Sequence, residues 1–308
     1  MPLWKPLVVD RIGITFVIPD EDLYNHIYGQ LFTFKEEQGT YLPSGKIVIR
    51  KNPHCTRLDY YPAYSHKKAG RRKIADLTVG SCSKPGKGVT HKYFTLTLYP
   101  SQFQVGEFEH FKSNFDLLFN PLSYLQMHES GTVNYLELAA DSLSQKHHSF
   151  LPYRKGCKNS SIYFDSKTGQ LGTTYIGSRT SNFRFRIYDK RKHLIETGKT
   201  PDPNWKTHTR IEAVMRRLGI TPAELCQLDN PFTKLQIVDV ITTQGASEDK
   251  DWQSFIENSM QIGIPKALPS NAYQRKKFRA LLDETQCQWW NPNFIWLGLP
   301  DALGVIAP

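Results

Sequence analysis

The sequence predicts an α+β protein, with a mixed, largely antiparallel sheet, flanking helices and a helical C-terminal region. Three observations lead there. Several segments alternate apolar and polar residues with the period of a strand, while others space apolar residues three and four apart. Strands and helices interleave without the regular βαβ rhythm of a parallel sheet. With 308 residues, 39% hydrophobic and 12% aromatic, the chain can bury a sizeable core and is not a disordered polymer.

In order, 8–18 reads as a strand ended by Pro19-Asp20, and 21–34 as a helix with Leu23, Ile27 and Leu31 on one face. Residues 46–50 read as a short strand. The basic stretch 65–72 and the Ser/Lys/Gly stretch 80–88 read as loops. Next come a strand at 93–98 stopped by Pro100, a helix at 108–119 and a strand at 133–141. Segments 160–164, 172–176 and 183–188 read as a meander, with turns at 167–169 and 178–182. A proline-containing loop leads to a last strand, 209–215. At Thr221-Pro-Ala-Glu224 a capping box with proline at the first helical position starts a helix, and 272–284 is a second. That second helix carries Arg275, Lys276, Lys277 and Arg279. A boundary near 219 is expected, giving domains 1–218 and 219–308. Trp289-Trp290 and Phe294-Ile295-Trp296 are expected to pack the second part down.

Cys55, Cys82, Cys157, Cys226 and Cys287 are far apart and form no CxxC pair, so neither a zinc site nor a disulfide framework follows. Free thiols in a reducing cytosol are expected. No apolar run approaches membrane-spanning length and no signal-peptide h-region opens the chain, so no membrane partner is expected.

The formal net charge of +10 favours nucleic acid or another anionic partner. The excess is uneven: residues 154–192 hold ten Lys or Arg against Asp165 and Asp189. At its centre lies Phe183-Arg-Phe-Arg-Ile-Tyr-Asp-Lys190. Phe183, Phe185 and Ile187 fall on one side of an extended chain; Arg184, Arg186, Tyr188 and Lys190 fall on the other. One phenol among three cations suits a phosphodiester, which the cations would hold while the phenol oxygen attacks. Asp189 falls on the apolar side and reads as structural, paired with an arginine. Gly177 reads as a turn or a point of close DNA approach. Arg179 and Ser181 either contact DNA or brace that turn.

Two further strands supply carboxylates. In Tyr135-Leu-Glu-Leu-Ala-Ala-Asp141, Glu137 and Asp141 share a face; in Thr209-Arg-Ile-Glu-Ala-Val214, Arg210 and Glu212 do. Magnesium and manganese prefer such oxygen ligands.

Tyr-Ile-Gly-Ser-Arg-Thr-Ser…Arg-Ile-Tyr-Asp-Lys (175–190), preceded by Asn134-Tyr-Leu-Glu-Leu-Ala-Ala-Asp141 and followed by Arg210-Ile-Glu212, resembles the signature of the Rep_trans replication initiation factors. These are rolling-circle initiators of plasmids, filamentous phages and conjugative elements. Order and spacing agree over about 90–215. The resemblance implies a DNA nicking and closing activity in 1–218, with Tyr188 as nucleophile. Tyr188 would form a 5′-phosphotyrosine link and free a 3′-hydroxyl primer. Arg186 and Lys190 would assist, and Arg179, Ser181, Arg184 and Arg210 would bind DNA. Glu137, Asp141 and Glu212 would hold Mg²⁺ or Mn²⁺. It further implies origin DNA as substrate, host polymerase and helicase as partners, the cytoplasm of a bacterial host, and a homodimer in which one tyrosine opens the circle and another closes it. Asn134-Tyr135 stands where the family often has Thr-Arg. Thr97 stands where some relatives carry glutamate, with Asp59 as the nearest substitute.

Other chemistry is set aside. There is no His-hydrophobic-His triplet, and His147-His148 reads as a surface loop. Pro85-Gly-Lys-Gly88 lacks P-loop spacing, and no nucleophile elbow is present. A mid-strand tyrosine followed by a long C-terminal region differs from tyrosine recombinases. A relaxase- or transposase-like strand transferase and a non-enzymatic DNA-binding protein stay open as alternatives.

Overall fold

The computed structural model describes residues 3–36, 41–42, 45–52, 55–62, 72–83, 90–166 and 168–308. Its strands are β1 (Val8–Ile18), β2 (Tyr41–Leu42), β3 (Gly45–Asn52), β4 (Cys55–Pro62), β5 (Ala75–Ser83), β6 (Thr90–Leu98) and β7 (Thr132–Ser142). They continue with β8 (Phe150–Tyr153), β9 (Ser160–Phe164), β10 (Leu171–Ile176), β11 (Phe183–Asp189), β12 (Thr209–Arg216) and β13 (Gln236–Asp239). The helices are α1 (Glu21–Glu36), α2 (Glu107–Phe119), α3 (Tyr124–Ser130), α4 (Lys190–Glu196) and α5 (Val240–Gly245). Five more follow: α6 (Lys250–Ile262), α7 (Ile264–Ala267), α8 (Ala272–Glu284), α9 (Pro292–Trp296) and α10 (Leu299–Gly304). This is the expected α+β class. No helix among the described residues is long and apolar enough to cross a membrane.

The chain forms two compact units, neither continuous in sequence. One comprises Met1–Leu7, Leu138–Met215 and Asp229–Leu299; the other comprises Val8–Glu137, Arg216–Leu228 and Pro300–Pro308. Both therefore draw segments from either side of residue 219.

In the Val8–Glu137 unit the strands run β2-β3-β4-β5-β6-β1, antiparallel at each step. Alternation puts Ile12 and Ile14 of β1, and Phe94, Leu96 and Leu98 of β6, on a buried face. Helix α2 brings Phe111, Phe115 and Phe119 against Phe94, with centroids 5.0 Å from Phe94 to Phe119 and 5.7 Å to Phe115. The 80–88 stretch expected as a loop begins inside β5, which runs to Ser83; 84–89 and 63–71 lie outside the described residues. The capping box at Thr221 opens the expected helix, which is a 3₁₀ helix, Pro222–Gln227; Glu224 Oε2 accepts from the Thr221 backbone N–H at 2.7 Å.

In the other unit, β9, β10, β11 and β12 form an antiparallel series, and β8 pairs with β13. The three-strand meander falls where the alternation placed it. Phe185 and Ile187 are buried on the apolar face, and Phe185 packs against Phe232 with centroids 6.4 Å apart. A second cluster joins β8 and β13 to α6 and α8 through Tyr153, Val238, Trp252, Phe255, Phe278 and Leu282. Trp4 packs against both Trp289 and Trp290, with centroids 6.0 and 5.8 Å away. Trp290 donates to the Leu235 carbonyl at 2.9 Å, and Ile295 is buried, while Phe294 is exposed. His147, expected on the surface, is buried beside the Leu171 carbonyl.

Candidate functional site

Cross-strand register assembles the site. Tyr188 stands opposite Thr173 on β10 and Arg210 on β12; Arg186 stands opposite Tyr175 and Glu212. Directly opposed residues share a face, so Arg184, Arg186, Tyr188, Thr173, Tyr175, Arg210 and Glu212 project together. The strand pattern of the sequence placed the β11 members of this face correctly. Lys190 departs from it: the strand ends at Asp189, and Lys190 opens α4. Among the described residues, Asp189 is not paired with an arginine. Its carboxylate caps α4, accepting from the Lys192 backbone N–H at 2.9 Å. The cap turns the chain so that Lys190 Nζ lies 5.9 Å from the Tyr188 ring centroid and the His193 ring meets it edge-on at 5.5 Å.

Tyr188 is 8% exposed and Glu212 fully buried. The Tyr188 hydroxyl reaches diagonally across β11 and β12 and donates to Glu212 Oε1 at 2.8 Å. Glu212 Oε2 accepts from Arg186 Nε. Burial, followed by the nearby Glu212 charge, pushes the Tyr188 phenol well above the ordinary tyrosine value; Arg210 and Arg186 act against that rise. Burial, then the charges of Lys190 and Arg186, lowers His193 and favours its neutral form.

Arg210, expected to hold DNA, is bonded to Asp141. Its Nε and Nη2 donate to the two oxygens of Asp141, each at 2.7 Å, and His208 Nε2 lies 3.3 Å from Asp141 Oδ2. Burial favours the neutral acid at Asp141, but Arg210 and His208 outweigh it and hold this carboxyl well below the usual range. Ser181 braces the turn between β10 and β11, its hydroxyl donating to the carbonyls of Ser178 and Phe183 at 2.9 and 2.6 Å. In that turn Gly177 has φ +109°, and a Cβ there would come within 3.0 Å of Arg184 Cβ and the Phe183 carbonyl oxygen. Arg179 is exposed and Arg184 half-buried, both lining a cleft on the β9–β11 side.

The three carboxylates expected to hold a cation are each engaged by a protein partner. Asp141 gives both oxygens to Arg210. Glu212 gives one to Tyr188 and one to Arg186. Glu137, in the Val8–Glu137 unit, accepts the Tyr135 hydroxyl at 3.2 Å. Among the described residues, no three His, Cys, Asp or Glu are grouped to hold a metal ion. Magnesium or manganese would need oxygens not already matched to guanidinium groups. Asp59 lies on β4 opposite Asp76 of β5, which accepts from the Tyr99 hydroxyl at 2.6 Å and pairs with Lys73 at 2.7 Å.

Two residues of the site were not anticipated, His193 and His208. An aspartate followed by Lys-Arg-Lys-His is a helix-start signal that would have put His193 one turn beyond the tyrosine. Nothing local to His208 marks it.

A cleft of about 210 Å³ opens beside the tyrosine, bounded by Tyr188, Thr173, Tyr163, Lys192 and His193. The phenol is thus buried but borders solvent-reachable space. The arrangement can present a hydroxyl, accept its proton on a fixed carboxylate and surround both with positive charge.

No family model matches the chain, and no curated protein matches it. Among solved structures, it is similar to the rolling circle replication initiator protein from Geobacillus stearothermophilus, at 13% identity and a TM-score of 0.38, over 84% of this chain and 98% of that one.

Proposed function

We propose that the protein is a DNA strand transferase that nicks and rejoins origin DNA through Tyr188, as an initiator of rolling-circle replication. The observation that carries this reading is the hydrogen bond from the Tyr188 hydroxyl to buried Glu212, set among Arg186, Lys190 and His193 beside an open cleft. The sequence resemblance over 175–190 supports the choice of DNA as substrate.

Tyr188 Oη attacks the scissile phosphorus. Its proton passes to Glu212 Oε1 as the O–P bond forms. A free phenolate beside a buried carboxylate is disfavoured, so proton transfer and attack are concerted. The bond from phosphorus to the 3′ oxygen breaks, and that oxygen takes a proton from solvent. The products are a 5′-phosphotyrosine and a free 3′-hydroxyl. Attack by a 3′-hydroxyl on the phosphotyrosine reverses the sequence and reseals the strand without ATP. Arg186 and Lys190 offset charge on the phosphorane. No step here is routed through a metal ion.

The test is a denaturing gel that detects a covalent protein–DNA adduct after incubation with supercoiled DNA carrying the cognate origin, with Mg²⁺, with Mn²⁺ and with chelator. Wild type is expected to form the adduct and Tyr188→Phe to form none. An adduct of equal yield from Tyr188→Phe overturns the assignment.

A further inference from the structure

A second, larger cleft of about 580 Å³ lies on the β9–β11 side of the same unit, within the size range of sites that enclose small molecules. It shares Tyr163 and Thr173 with the cleft at Tyr188. The two differ in charge. The Tyr188 cleft includes Asp165, Asp189 and Glu196. The larger one, among the described residues, has no acid and is bordered by Arg179, Arg184 and Lys266.

Its rings are available. Tyr163 is 59% exposed and meets half-buried Tyr175 edge-to-face, with centroids 5.6 Å apart. Arg184 lies over Tyr175 at 5.2 Å, and its Nε is buried with no hydrogen-bond partner among the described residues. Arg184 and Tyr188 are four residues apart on one strand face, about 13 Å. What this cleft takes is therefore flanking strand and not the scissile phosphate.

We infer that the β9–β11 cleft is a single-stranded DNA subsite, in which Tyr163 and Tyr175 stack unpaired bases while Arg179, Arg184 and Lys266 hold the adjoining phosphates. Exposed aromatic faces among cations suit single strands, whose bases are free to stack, whereas a duplex keeps its bases stacked on one another. The inference deepens the nicking reading and rests on it for the choice of DNA.

The test is fluorescence anisotropy of the full-length protein with a short fluorescein-labelled oligothymidylate and with a hairpin duplex. Tyr175→Ala is expected to weaken oligothymidylate binding about ten-fold and Tyr175→Phe to restore it. Lys266→Glu, at an exposed position, is expected to weaken it and to flatten the slope of log affinity against log salt by about 0.7. Duplex affinity should stay within about two-fold throughout, as the stacking model requires. Wild-type oligothymidylate affinity in both Tyr175→Ala and Lys266→Glu, or an equal loss on the duplex, overturns the inference. The two readings separate cleanly. If wild type forms no covalent adduct yet these variants lose single-strand binding, the nicking reading fails and the subsite stands. If wild type forms the adduct and the variants bind as wild type, the reverse holds.

Discussion

Arg210 grips Asp141 through two hydrogen bonds of 2.7 Å, in a setting where both side chains are almost wholly buried. The planar guanidinium fork of Arg210 is matched to a carboxylate. Removing one partner would strand the other's charge away from water. Asp141→Asn is therefore expected to cost about 3–5 kcal/mol of stability in urea melts. The pH dependence follows from the same pair. The folded carboxyl titrates below its unfolded value of about 3.9. Its contribution is complete above that value and fades as pH falls below it. Between about pH 4 and 2, wild type should lose more stability than Asp141→Asn does, and parallel losses would show that the pair is not formed in solution.

Glu212→Gln tests the proton acceptor. The amide keeps the shape beside Arg186 but takes up a proton far less readily. Covalent adduct formation should slow by about 10²–10⁴-fold, with oligonucleotide affinity retained. A variant as fast as wild type would mean that the Tyr188 proton leaves by another route.

Gly177→Ala probes the turn that aims Arg184. Both the left-handed φ and the 3.0 Å approach to Arg184 Cβ oppose a side chain. Destabilisation of about 1–3 kcal/mol is expected from thermal melts. An unchanged melting temperature would show that the turn relaxes.

Trp252 anchors the cluster beneath α6 and α8, fully buried and donating to the Thr243 carbonyl at 2.8 Å. Trp252→Ala should cost about 3–5 kcal/mol. Trp252→Phe keeps an aromatic ring and removes that hydrogen bond, while the carbonyl still accepts from the Ala246 backbone N–H at 3.3 Å, and should cost less, about 0.5–1.5 kcal/mol. Equal losses in the two variants would assign the whole effect to the hydrogen bond.

The meander and its parity were legible because alternation is a local signal: one glance at Phe183-Arg-Phe-Arg-Ile-Tyr188 separates core from site. Parity failed at Asp189 and Lys190 because a helix cap competed with the strand period and won. The partners of Arg210 and Asp141 were not legible, since they meet only through tertiary packing. The fate of Glu212 was hidden for the same reason. A strand residue's face follows from sequence, whereas the diagonal neighbour it bonds depends on which strand pairs beside it and in what register.

The packing of Trp4 against Trp289 and Trp290 bears on how the protein is made. Trp4 is synthesised long before the tryptophans it packs against, so the unit they share cannot close until residues 289 and 290 have emerged. In the interval Trp4 is left uncovered, a state that invites chaperone binding or aggregation. A library of ribosome-stalled nascent chains would find that unit protease-sensitive until its last tryptophans have emerged.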